Sequence, residues 1–108
     1  MREALVTVLW FTLLTGLAPA AAADLSLERE AELERLVLQD CGSCHGLTLK
    51  GGLGPDIRAE TLAGIPPEAL TEIVLDGIPG TAMPPWRPLL SEDDARWIAD
   101  FLLKGDVE

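Results

Sequence analysis

Cys41-Gly42-Ser43-Cys44-His45 sets two thiols three positions apart, with an imidazole directly after the second. This is the pattern to which c-type haem is joined covalently. Each thiol adds to one vinyl group on the same porphyrin edge, and two intervening residues let the backbone span that edge. The histidine that follows lies under the ring and reaches the iron. The competing readings are a structural disulfide, half a zinc site and a thioredoxin-like redox pair. Zinc asks for four ligands, yet the chain has two cysteines and one histidine in all. A thioredoxin-like pair needs a βαβ setting, and the chain has no run with the period-two alternation of a strand.

His45, the only histidine, is the expected fifth iron ligand. The sixth position asks for a soft or nitrogenous donor, and apart from Met1 the only methionine is Met83, in Thr81-Ala82-Met83-Pro84-Pro85-Trp86. A lone methionine is commonly core filler, but this one belongs to no helical stripe. Thioether ligation raises the potential and suits electron transfer. The second N–H of the proximal imidazole needs an acceptor, and the Pro55 carbonyl, in Gly54-Pro55-Asp56, is the candidate. Trp86, Arg58, Arg87 and Lys50 are candidate donors to the haem propionates, Trp86 foremost, with ordinary surface roles as the alternative.

Helices have to position these groups. Leu27 to Asp40 lacks Gly and Pro, and Leu33, Val37 and Cys41 share one stripe, so a first helix delivers Cys41 to the haem edge. Gly46 to Asp56 reads as loop. Pro67 to Asp76 is a second helix, favoured by Glu68 at its start and closed by Gly77. Ile78 to Leu90 holds four prolines and should be stiff. Ser91 is the expected N-cap of a last helix with Glu92, Asp93 and Asp94 in its first turn, and Gly105 ends it. Ala95, Trp97, Ile98, Phe101 and Leu102 form its apolar stripe. The expected fold is all-α, three to four short helices wrapped around one covalent haem.

Residues 1–23 read as a signal peptide: Arg2, an apolar core from Leu5 to Leu14, and Ala21-Ala22-Ala23 as the cleavage site. Ala18-Pro19-Ala20 is an earlier alternative. The apolar core is too short to span a bilayer, and an uncleaved membrane anchor is the competing reading. Export to the periplasm agrees with the haem assignment, because bacteria attach c-type haem outside the cytoplasm. Residues 24–108 then form one small domain, expected to be a monomer that leans on the haem for its core. This part carries 17 acidic and 7 basic side chains, a net charge of −10. That charge argues against nucleic acid or an anionic membrane surface as partner. It leaves simple solubility or a basic docking partner.

The helix leading into Cys41-Gly-Ser-Cys44-His45, then Gly54-Pro55, Met83-Pro84-Pro85 and a final aromatic-bearing helix resemble a class I monohaem cytochrome c across residues 27–104. The resemblance implies that the first helix packs on the last, Leu33 and Val37 against Trp97 and Phe101. The stretches Asp40 to Pro55 and Pro79 to Pro88 are similar to the NirC cytochromes, encoded beside the haem-c/haem-d nitrite reductase of denitrifying bacteria. Ile78 and Ala82 stand where that family leads one to expect Arg and Pro, beside the exposed haem edge. The implied function is a periplasmic electron carrier, not an enzyme, that donates electrons to nitrite reductase. The alternatives are an accessory role in haem d biosynthesis or maturation with a partner of that pathway, and a haem enzyme or sensor whose sixth position is open.

Overall fold

The computed structural model describes residues 25–105, together with Gly16. Apart from Gly16, the expected signal peptide therefore lies outside the described residues. Among those described there is no strand. No helix among them is long and apolar enough to cross a membrane. The helices are α1 (Leu27–Leu36), a π-helical stretch (Val37–Cys41), α2 (Gly42–His45), α3 (Ala59–Leu62), α4 (Pro67–Asp76) and α5 (Glu92–Lys104). The first three run on without a break, so the described residues make four rods, in line with the all-α expectation.

The first rod starts where Ser26 Oγ accepts the Arg29 N–H at 3.1 Å, a side-chain N-cap. It extends past Asp40 and takes the whole Cys41–His45 segment into helix, with its middle wound wider than an α-helix. The Gly42 N–H reaches back to the Val37 carbonyl, five residues away. In a regular α-helix, residues four apart advance about 40° around the axis, so Leu33, Val37, Cys41 and His45 would drift off one face. The wider π turns recover part of that drift. Leu33 and Val37 are both 0% exposed, and Cys41 packs half-buried against the same core.

α5 is the central element, lying against α4, α3 and α1. Its N-terminus is closed by a capping box: Ser91 Oγ accepts the Asp94 N–H at 3.0 Å, and Asp94 Oδ2 accepts the Ser91 N–H at 3.0 Å. Asp94 also receives a fork from Arg29 of α1, Nε to Oδ1 at 3.0 Å and Nη2 to Oδ2 at 2.8 Å. One carboxylate thus caps α5 and joins it to α1. Behind it, Ala95, Ile98, Ala99, Phe101 and Leu102 are buried. Trp97, at the edge of the core, stacks on Phe101 with ring centroids 4.9 Å apart. Leu33 and Val37 share this core, which is the expected meeting of first and last helices. α3 was not legible in the sequence: it is four residues long, and only Leu62 is buried.

The Arg29 guanidinium holds the Asp94 carboxyl below its ordinary value of 3.8, against the opposing effect of burial. A depressed carboxyl contributes stability that is complete above its unfolded value and is lost as pH falls through the folded one. Asp94→Ala should therefore lower stability at neutral pH by about 1–2 kcal/mol, the range for losing a helix cap. The gap between wild type and variant should close progressively below about pH 4. Denaturant unfolding of both proteins over a pH series measures it; a gap of constant size down to the lowest pH would show that the Asp94 charge contributes nothing.

Candidate haem centre

On a helix, positions i, i+3 and i+4 share one face. Cys41, Cys44 and His45 have that spacing, and the structure places all three in the helical run that ends at His45. Both cysteines are free thiols, Cys41 half-buried and Cys44 exposed, so the disulfide reading does not describe the fold. Burial, with Asp40 adjacent, pushes the free Cys41 thiol up to about 11. It is not a ready thiolate of the thioredoxin kind. No cluster of three or more His, Cys, Asp or Glu side chains among the described residues could hold a metal ion. That removes the zinc reading within this part of the chain.

Past His45 the chain turns back on the end of its own helix. The last carbonyls of a helix have no partners within it. Here the Gly51 N–H donates to the His45 carbonyl at 2.7 Å and the Gly54 N–H to the Cys44 carbonyl at 2.8 Å. This fold-back carries Pro55 to the imidazole, where His45 Nδ1 lies 2.7 Å from the Pro55 carbonyl oxygen. A carbonyl only accepts, so Nδ1 carries the proton and donates. The Nε2 lone pair is then available to a metal. The approach leaves no spare room: a Cβ on Gly54 would lie 2.7 Å from Cε1 and 2.8 Å from Nδ1 of the ring. Leu49, with φ +58°, is almost fully buried beneath the loop. Its N–H donates to the Gly46 carbonyl, and its own carbonyl accepts the Ile57 N–H.

Met83 is half-buried in the second loop, which is anchored on α4. The Trp86 N–H donates to the Val74 carbonyl at 3.2 Å and the Arg87 N–H to the Leu75 carbonyl at 2.9 Å. The Met83 carbonyl accepts the Ile78 N–H at 3.3 Å. Gly77, buried and with φ +65°, lies directly beneath: a Cβ there would fall 2.5 Å from the Met83 oxygen and 2.7 Å from the Pro84 carbonyl carbon. No hydrogen bond joins the His45 loop to the Met83 loop among the described residues, so each is held by its own helix.

Of the four candidate propionate donors, Trp86 is half-buried against the core and Lys50 is exposed. Both arginines are engaged elsewhere. Arg58 forks onto Asp56 and reaches Glu60, and Arg87 forks onto Asp76. The Arg58 fork holds the Asp56 carboxyl down at about 2. Sequence reasoning missed these pairings and the part Gly77 plays under Met83. Glycine after α4 signalled a helix end, but nothing local signalled which peptide would lie against it.

The donor set fits a covalent haem: two unpaired thiols and an imidazole on one helical face, that imidazole with Nε2 available, and Met83, the one methionine among the described residues, in a loop anchored on α4. The comparisons with known proteins agree. Residues 28–102 match the family model described as cytochrome c oxidase, cbb3-type, subunit III. The chain is 59% identical over 100 residues to cytochrome c55X of Paracoccus denitrificans, covering 93% of this chain and 95% of the relative. A solved structure, the c-type cytochrome NirC, superposes with TM-score 0.75 at 54% identity, covering 77% of this chain and 98% of that one. Dihydro-heme d1 dehydrogenase of Pseudomonas aeruginosa is 34% identical over 76 residues, 70% of this chain but 15% of that protein. The chain belongs to the cytochrome c family, among the small c-type cytochromes named c55X or NirC, and its cofactor is covalently bound haem c.

Proposed function

We propose that this chain is a periplasmic electron carrier of denitrification, acting as a monomer after removal of residues 1–23. Cys41 and Cys44 attach the haem, His45 and Met83 are its axial ligands, Pro55 orients His45, and Trp86 donates to a propionate. The observation that carries the reading is the 2.7 Å contact from His45 Nδ1 to the Pro55 carbonyl. It fixes the tautomer needed for ligation and strengthens the imidazole as a donor. When bound, the haem supplies a one-electron Fe(II)/Fe(III) couple. With His45 and Met83 both holding the iron, no open position would be left for a substrate, which would suit a carrier rather than an enzyme. The competing reading, an enzyme or sensor with an open sixth position, requires that Met83 be off the iron.

Nitrite reductase is the proposed electron acceptor. Contact would be made at the exposed rim of Ile78, Ala82 and Pro84, with the haem edge held by exposed Cys44. On α4, Glu72 and Asp76 lie against Arg87, while α1 presents an acidic surface with exposed Glu28, Glu32 and Glu34. The exposed apolar side chains of the rim are suited to a brief contact. A second reading is favoured by the similarity to dihydro-heme d1 dehydrogenase. A dehydrogenase releases electrons, and this chain would accept them during haem d maturation.

Met83→Ala should remove the weak far-red absorption that marks sulfur on Fe(III), lower the potential and let carbon monoxide bind the Fe(II) form. An unchanged spectrum and carbon monoxide affinity would take Met83 off the iron. Gly54→Ala should push the imidazole off the Pro55 carbonyl and raise the potential, since His45 then donates less electron density. Redox titration with proton NMR of the Nδ1–H tests this; an intact Nδ1–H signal at an unshifted potential contradicts it. For the partner, reduction of isolated nitrite reductase is followed by stopped flow. The rate should change less than about twofold from about 10 to about 150 mM ionic strength, whereas Ile78→Asp slows it severalfold. A steep fall with salt would assign docking to the acidic face. Absence of transfer at any salt would shift the function to the maturation reading.

A further inference from the structure

Between Met83 and its first anchor stand Pro84 and Pro85, which have no N–H to donate and a fixed φ. The methionine therefore has no backbone anchor of its own on that side, and its position passes through two stiff residues to Trp86 and Arg87. On the other side Thr81 is tied to the Ile78 carbonyl through Oγ1 at 2.7 Å, but the bonds of Met83 itself are long: Ile78 N–H to the Met83 carbonyl at 3.3 Å, and Met83 N–H to Thr81 Oγ1 at 3.3 Å. Of the bonds that join the far end of the loop to α4, the shortest are made by Arg87. Its N–H donates to the Leu75 carbonyl at 2.9 Å, its Nε to Asp76 Oδ1 at 2.8 Å and its Nη2 to Asp76 Oδ2 at 2.9 Å. Asp76 is the last residue of α4 and Gly77 follows it, so the fork ties together the two ends of the loop that bears Met83.

From this geometry we infer that Arg87 is a positioning residue for the sixth iron ligand, its fork on Asp76 closing the loop neck so that the methionine seldom leaves the iron. The inference rests on the reading of Met83 as that ligand. An exposed ion pair contributes little to global stability because solvent screens it. Here the fork acts on a local equilibrium, loop closed against loop open, which requires no unfolding of the helices. Breaking the fork shifts that equilibrium while leaving the Met83-bound spectrum of the resting protein in place.

The test uses the haem-loaded protein and imidazole added to the Fe(III) form, because imidazole enters only after the sulfur has left. Arg87→Met should speed imidazole binding by about two- to fivefold, the range an exposed pair can supply. Arg87→Lys, which keeps the charge but not the fork, should fall between the two. The reversed pair, Asp76→Arg with Arg87→Asp, should bring the rate back toward wild type. Raising the salt should speed binding in wild type and leave Arg87→Met unchanged. Equal imidazole rates in wild type and Arg87→Met, both retaining the sulfur-to-iron band, overturn the clamp. A wild type lacking that band overturns the Met83 reading itself and the clamp with it.

Discussion

Helix ends leave carbonyl oxygens without partners, and in this chain those oxygens are the ground on which both loops of the haem centre stand. At the end of the first rod, Cys44 and His45 take N–H groups from Gly54 and Gly51. At the end of α4, Val74 and Leu75 take them from Trp86 and Arg87. Neither loop has a strand partner, and both are rich in glycine or proline, which contribute little cohesion of their own. Anchoring each loop on a helix terminus satisfies the backbone of both elements at once. It also fixes Pro55 beside His45 and holds Met83 above Gly77. The close approaches at Gly54 and Gly77 show how little play remains.

The charge of the molecule is arranged as well as abundant. Arg29, Arg58 and Arg87 each bind a carboxylate that belongs to a structural junction: the α5 cap, the turn after Pro55 and the end of α4. These pairs leave the surplus of carboxylates on outward faces, foremost on α1. Exposed surplus charge of one sign generally favours solubility, whereas Ile78, Ala82 and Pro84 put exposed apolar side chains around Met83. Ile78, 45% exposed, lies on that apolar side.

The parts of the site that are local in sequence were legible. Cys41-Gly-Ser-Cys44-His45 names its chemistry by spacing alone, and its helical form puts the three side chains on one face. Ser91 with Asp94, and the bounds of α4 and α5, follow from caps and periodicity within a single turn. The Pro55 carbonyl was also readable as a partner of His45, because the donor requirement of the imidazole asks for an acceptor and a proline supplies one. The π stretch was not readable: Val37-Leu38-Gln39-Asp40 has ordinary helix formers, and the wider turn is chosen by the need to keep Cys41 on the buried face. The pairings of the arginines were unreadable for a related reason. Arg58 and Arg87 look available to any anion, and only the folded chain shows which carboxylate lies within reach.

Residue types and short spacings determined the cofactor chemistry, the helical class, the cap positions and the acidic balance, since each depends on a few neighbouring atoms. The tertiary structure decided which peptide rests on Gly77, which carboxylate caps one helix while holding another, and how the Met83 loop is tied shut. Those outcomes depend on groups far apart in the chain, as Arg29 and Asp94 are, meeting with the right separation. No local signal specifies such a meeting; it is set by the packing of the helices that carry them.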